Sequence, residues 1–235
     1  MNLETKITIY KFTPQVFTLT PKGALLITLF VSCGKSPEEK ANALIEDDIK
    51  KVLYHPETYD PAETQVDSAF TPFDDPAFYE KTVQLCKLGM SIDECDRKMK
   101  NAKSSMSIWS GPYQSAFGRN EYQEAKNEYD ENERNKKSIE AKVKKLATEL
   151  KTMLENEQQF IGFKARHRYR ANNNAGQTTF GEMKFLFDKE IEKIVAKYDM
   201  DDNEYKAVQI LYKQMLGEDT QIENENFDDC EPTYE

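Results

Sequence analysis

Apolar residues recur at helical spacing soon after residue 35. Ser36-Pro37-Glu38-Glu39 supplies an N-cap serine, a proline at the first helical position and a glutamate at the third. His55-Pro56 ends the pattern, because the residue before a proline disfavours helical backbone. The sequence therefore predicts a helix up to Tyr54 with one apolar stripe: Ala41, Leu44, Ile45, Ile49, Val52 and Leu53.

A second helical region follows a proline-rich segment in which Thr64–Thr71 alternates well enough for an edge strand. Asp75-Pro76 repeats the cap-and-proline start, and the pattern predicts a helix from 76 to about 88. Gly89 is suited to end that helix, and Ser91 to Glu94 forms a capping box for another that reaches about residue 106. We therefore predict a helical hairpin that turns near Gly89.

Residues 120–158 form a long, highly charged segment whose apolar positions keep a 3-4 spacing. A narrow stripe of this kind is typical of a coiled coil. Its partner is either the preceding hairpin of the same chain or a second subunit, which would make the protein a homo-oligomer through the long helix.

The clearest β pattern begins at residue 160. Ile161, Phe163, Ala165, His167 and Tyr169 share one face of the predicted strand, and Lys164, Arg166, Arg168 and Arg170 share the other. Residues 178–189 return as a hairpin partner, and residues 190–198 favour a third strand over a helix. An amphipathic helix over 201–216 follows.

These elements predict an α+β fold. It comprises a helical N-terminal half with a long charged helix, then a small antiparallel β-meander closed by a C-terminal helix. We expect one domain over residues 33–217 and an acidic, disordered tail over 218–235.

The segment before Cys33 has the layout of a secretory signal. Lys22 is a positive flank, Ala24–Val31 an apolar core of about half a membrane span, and Ser32 a small residue before the cysteine. This order resembles the bacterial lipoprotein box, which implies acylation of Cys33 and removal of residues 1–32. The segment before Lys22 is long for a signal, so it is either an extended n-region or the product of a mis-assigned start.

Charge and motifs exclude several function classes. The net charge of −10 argues against nucleic acid as a partner. The sequence contains no glycine-rich phosphate loop, nucleophile elbow or zinc-protease motif, so we expect no enzyme activity and no cofactor. The remaining cysteines lack metal-type spacing, and the acidic clusters at 46–48 and 201–203 lack the pattern of a calcium loop, so no metal site is predicted.

Export would place the remaining cysteines in an oxidising compartment. Cys86 and Cys95 flank the predicted turn near Gly89, where they either form a disulfide or stay free and buried. Cys230 lies in the predicted tail.

Three features are candidates for binding or chemistry. The basic strip of Lys164, Arg166, Arg168, Arg170 and Lys184 either binds an anionic ligand or is neutralised by acidic neighbours. His167 is better explained as a satisfied core histidine than as a general base, and His55 as a helix-end residue. The aromatic group of Trp109, Tyr113 and Phe117 is either a ligand platform or a core plug beneath a loop.

Residues 41–70 and 160–191 resemble a group of uncharacterised lipoproteins of Bacteroidetes type. The shared features are a helix leading into P-x-x-Y-x-P and a terminal hairpin with H-x-Y/F-R-A-x-N. The resemblance implies export and an anchor at Cys33, with no catalytic residue or activity. We therefore expect a lipid-anchored, cell-envelope protein that binds or scaffolds a protein or glycan partner. The alternative is a glycan- or anionic-ligand-binding module that uses the basic face.

Overall fold

The computed structural model describes residues 35–112 and 114–217, which form the predicted α+β fold. In chain order the elements are α1 (Pro37–Lys50), a 3₁₀ turn (Pro56–Thr58), β1 (Asp60–Phe70), α2 (Pro76–Trp109), α3 (Ala116–Glu155), β2 (Phe160–Asn172), β3 (Thr178–Phe187), β4 (Ile194–Asp199) and α4 (Asn203–Met215). The predicted signal segment, Cys33 and the tail from residue 218 lie outside the described residues.

The sheet has four strands in the order β1-β2-β3-β4, and each neighbouring pair is antiparallel. The predicted hairpin and its third strand are confirmed as β2, β3 and β4. The edge strand suggested over 64–71 is confirmed as β1, which starts earlier, at Asp60. It pairs with β2 from Asp60 opposite Arg170 to Phe70 opposite Phe160, so the sheet has one strand more than a three-stranded meander.

Helix α1 covers one face of this sheet. Its Ser36 cap and Glu39 form the predicted capping box, with both reciprocal hydrogen bonds present. Ala41, Ile45 and Ile49 are buried in a cluster with sheet residues that include Phe185. The helix ends at Lys50, four residues before the predicted end, and Tyr54 is 74% exposed.

Helix α2 is continuous through Gly89, so the predicted turn there is wrong. Glycine inside a helix costs about 1 kcal/mol relative to alanine, which packing along a 34-residue helix can offset. The Ser91 hydroxyl donates to the carbonyl oxygen of Lys87 four residues earlier, as serine does within a helix. Glu94 pairs with Arg97 instead of closing a capping box.

Helices α2 and α3 pack along each other as an antiparallel pair that we call the arm. At 1.5 Å per residue, the 34 residues of α2 span about 50 Å. Of the two partners considered for the long helix, the structure shows the one within the same chain, although it is one continuous helix and not a hairpin. The arm connects β1 to β2, and its two ends meet where the Thr71 N–H donates to the Gln159 carbonyl oxygen at 3.0 Å.

A second core lies where the arm meets α4. Phe78 of α2, Leu150 of α3 and Val208 of α4 are all fully buried there. Tyr205 and Tyr212 of α4 are also buried, which confirms that this helix is amphipathic. The sheet is therefore covered on both faces: by α1 on one, and by the root of the arm with α4 on part of the other.

The continuity of α2 predicts that Gly89→Ala stabilises the protein by about 1 kcal/mol. No atom lies within 4 Å of the position that an alanine Cβ would take, and helical backbone suits alanine. Equilibrium denaturation by urea measures the change. A helix ending at Gly89 in left-handed backbone would give the opposite sign, because alanine is strained there.

Gly162→Ala is the matched control. Its φ is +148°, and an added Cβ would lie 2.1 Å from the Phe187 carbonyl oxygen. We expect a loss of at least about 1 kcal/mol for this variant in the same measurement.

Candidate anion-binding face and buried histidine

Strand β2 presents its two sets of side chains as predicted. Ala165 and His167 are buried on the face toward α1, whereas Arg166, Arg168 and Arg170 are exposed on the opposite face. The alternation of the sequence is therefore confirmed residue by residue. What the basic face can bind depends on which carboxylates lie beside these cations.

The three arginines lie next to acidic side chains of the neighbouring strands. Arg166 forms a hydrogen-bonded ion pair with Glu182 of β3. Arg170 pairs with Asp60 of β1 at 3.0 Å. Arg168 lies farther from its neighbours, 3.9 Å from a Glu63 oxygen and 4.0 Å from a Glu182 oxygen.

The two lysines converge on one carboxylate at the root of the arm. Lys164 and Lys184 each place Nζ 2.8 Å from a different oxygen of Asp74. The Phe70 N–H also donates to Asp74, at 3.1 Å, and the Asp74 N–H donates back to the Phe70 carbonyl oxygen. Asp74 is 7% exposed, whereas the side chains of Lys164 and Lys184 are partly exposed. A buried carboxylate with two partly exposed lysines therefore joins the sheet to the arm.

The balance of burial and charge keeps Asp74 ionised. Burial alone raises the pKa of a carboxyl group, but the charge of Lys184 and the hydrogen bonds from both lysines lower the pKa of Asp74 by more. The basic strip is therefore largely neutralised by acidic neighbours, the second of the two interpretations drawn from the sequence. Sequence reasoning missed Asp74, because nothing in its local pattern marks a contact with strands about 90 residues later.

His167 has partners for both ring nitrogens. Nε2 lies 2.9 Å from the Tyr59 hydroxyl, and Nδ1 lies 2.9 Å from the Thr64 hydroxyl. The side chain is 1% exposed, and burial lowers its pKa, so the ring is neutral at pH 7. A neutral imidazole offers one donor and one acceptor, and the two hydroxyls can satisfy both. This arrangement matches a satisfied core histidine.

Of the two alternatives for Cys86 and Cys95, the structure shows free thiols and no disulfide between them. On a continuous helix, nine residues separate the two cysteines by about 14 Å along the axis and place them on opposite sides. A disulfide needs Cα atoms within about 7 Å. Burial raises the pKa of the Cys86 thiol to about 11, which makes it a poor nucleophile.

The aromatic group lies at the far end of the arm. Trp109 and Phe117 contact each other edge to face, with ring centroids 5.6 Å apart. Phe117 is 62% exposed and Trp109 is half-buried, so the interpretation as a core plug is wrong. Tyr113 lies outside the described residues. Together with Ile108, which is 73% exposed, these side chains form an apolar tip.

The acidic clusters have structural partners. Asp47 pairs with Lys51, Asp48 pairs with Lys197, and Asp202 is the N-cap of α4. Among residues 35–112 and 114–217, no group of three or more potential ligands is placed to hold a metal ion.

No helix in these same ranges is long and apolar enough to cross a membrane. His55 precedes the 3₁₀ turn and lies 3.2 Å from a Glu57 oxygen.

No family model matches the chain, and neither a curated protein nor a solved structure is significantly similar to it.

Asp74→Asn should destabilise the protein by about 2 kcal/mol at pH 7, because it removes the buried carboxylate that two partly exposed lysines share. Chemical denaturation measures the loss. Asp60→Asn is the control, since it removes an exposed ion pair worth at most about 1 kcal/mol. Equal losses in the two variants would contradict the structural role of Asp74.

The native chain and Asp74→Asn together also test how the stability that Asp74 contributes depends on pH. The folded-state pKa of Asp74 lies below its ordinary value of 3.8, so its contribution is complete above that pH and is lost as the pH falls through the folded-state pKa. The stability gap between the native chain and Asp74→Asn should therefore narrow in acid. A gap that widens on acidification would show that the carboxylate is not stabilised by the lysines.

Proposed function

We propose that this protein is a lipid-anchored scaffold of a bacterial cell envelope, held by an acyl group on Cys33 and acting by binding rather than by catalysis. The anchor rests on the sequence before Cys33. The first described helix begins at Pro37, four residues after that cysteine. The folded part would therefore lie close to the membrane surface.

The observation that carries the binding role is the arm. Beyond Leu88 the two helices of the arm bury residues against each other, including Cys95, Ala102 and Ala125. The apolar stripe of α3 that suggested a second subunit is packed on α2. A rigid two-helix projection is suited to holding a partner at a distance from the sheet, and its exposed Ile108 and Phe117 provide an apolar contact for one.

Two further observations support binding over catalysis. His167, the histidine best placed for chemistry, has both nitrogens engaged by hydroxyls and lies away from solvent. The described cysteines are free but at least partly buried. A general base or nucleophile needs access to its substrate, and these groups lack it in this arrangement.

The anchor is tested by fractionation and mass spectrometry of the chain produced in a bacterium that exports lipoproteins. The native protein should partition with membranes and carry a diacylglycerol group on an N-terminal Cys33. Cys33→Ser should release it, whereas Cys230→Ser should stay membrane-bound. Recovery of an intact Met1 N-terminus from the soluble fraction would overturn the proposal.

The alternative is an anionic-glycan-binding role for the basic face. Arg168 favours it, because its side chain is more than half exposed and its two carboxylate neighbours lie at 3.9 and 4.0 Å. An arginine at such distances can still reach a sulfate or carboxylate group of a ligand.

Heparin chromatography at low salt tests this alternative. Arg166→Glu combined with Arg168→Glu should abolish retention. Lys100→Glu combined with Lys103→Glu makes the same charge change at exposed positions on the arm and should leave retention nearly unchanged. Equal retention of the two double variants would exclude a specific role for the basic face.

A further inference from the structure

A long surface groove runs along the line where the two helices of the arm meet. One section encloses about 650 Å³ and a second about 460 Å³. Both sections are lined by Lys87, Ser91 and Lys142, so they form one continuous depression. We call it the arm groove.

The arm groove is basic on a chain whose net charge is −10. Five lysines and two glutamates line it. Three of the lysines are paired with carboxylates: Lys81 with Glu149, Lys87 with Glu204 and Lys98 with Glu94. Lys142 and Lys145, in contrast, form no ion pair within 4 Å in the part of the chain that the structure describes. The pKa of Glu149 is lowered first by its hydrogen bond from Lys81 and further by the charges of Lys81 and Lys145. The unpaired cations make this surface attractive to carboxylates.

Apolar side chains accompany these charges. Met90, Leu88 and Ile139 also line the groove. Met90 is 61% exposed, and the other two are half-buried. A surface with unpaired cations and accessible apolar side chains fits an extended segment that carries many carboxylates and a few hydrophobic residues.

The chain itself contains such a segment outside the described residues. Residues 218–235 contain eight Asp or Glu and no Lys or Arg, together with Ile222 and Phe227. This segment therefore holds most of the chain's excess negative charge, and its composition complements the arm groove in both charge and apolar content.

Helix α4 ends near the arm groove, because its Tyr212 lies in the same core cluster as Leu146, which lines the groove. Tyr212, close to the end of α4, packs against Phe73 and Phe78 at the root of α2. From Phe78 to Lys98, at the far part of the groove, α2 rises by about 30 Å. An extended chain of 18 residues spans about 60 Å, which is enough to follow the whole groove.

We propose that residues 218–235 fold back along the arm and occupy the arm groove. Tethering raises the effective concentration of a short segment to the millimolar range, so weak ionic and apolar contacts suffice to keep it bound. A bound tail would neutralise Lys142 and Lys145 and cover Met90. It would also restrict the groove to partners that present a comparable acidic segment and can displace it. This inference does not depend on the lipid anchor or on the scaffold role.

The test uses the full chain with Cys33→Ser, Cys86→Ala and Cys95→Ala, so that Cys230 is the only native thiol. Ser91→Cys adds a thiol in the groove, and Thr148→Cys adds one outside it. Both original residues are exposed hydroxyls that donate to the carbonyl four residues earlier. In a glutathione redox buffer, the extent of disulfide formation with Cys230 reports the effective concentration of the two thiols.

We expect at least about a tenfold higher effective concentration for Ser91→Cys than for Thr148→Cys. Adding Lys142→Glu and Lys145→Glu, or raising sodium chloride to about 0.5 M, should abolish the difference, because both remove the ionic attraction. The measurement at high salt needs no further substitution that could disturb folding. Equal values at low salt, insensitivity to both charge reversal and salt, or disulfide-linked dimers in place of intramolecular bonds would overturn the proposal.

Discussion

The attachment of the arm to the sheet depends on one buried carboxylate. Asp74 lies in the turn between β1 and α2 and accepts hydrogen bonds from Lys164 of β2, Lys184 of β3 and the Phe70 N–H. Removing any one partner leaves the others in a site with little access to water, where an unpaired charge is costly. The strands and the root of α2 are therefore coupled, and the most basic part of the sheet serves as an attachment point.

The opposite face of strand β2 also holds a neighbouring segment through a buried polar side chain. His167 accepts or donates to hydroxyls of Tyr59, next to the 3₁₀ turn, and Thr64 of β1. His167, the histidine that the sequence placed best for chemistry, thus fixes Tyr59 and the start of β1 from inside the fold. The antiparallel register of β1 and β2 places Thr64 opposite His167, which brings residues about 100 positions apart into contact.

Patterns that depend on near neighbours were predictable from the sequence. The Ser36 capping box, the faces of β2 and the buried side of α4 all follow from spacings of two to four residues. The turn at Gly89 was mispredicted because local signals for a helix end were outweighed by packing along α3, which only the tertiary structure supplies. The Asp74 cluster and the arm groove arise between distant segments, so no window of the sequence contains them.

The position of the arm between two paired strands also bears on how the chain reaches its fold. Phe70 and Phe160 are adjacent across β1 and β2 although 90 residues separate them, which would make their pairing a slow, high-contact-order step. Most of those residues belong to two helices whose turn is short, so the arm can zip together from its tip through local contacts. Pairing of the two helices as far as Thr71 and Gln159 places the ends of β1 and β2 side by side. The two strands then pair without having to close a loop of 90 residues.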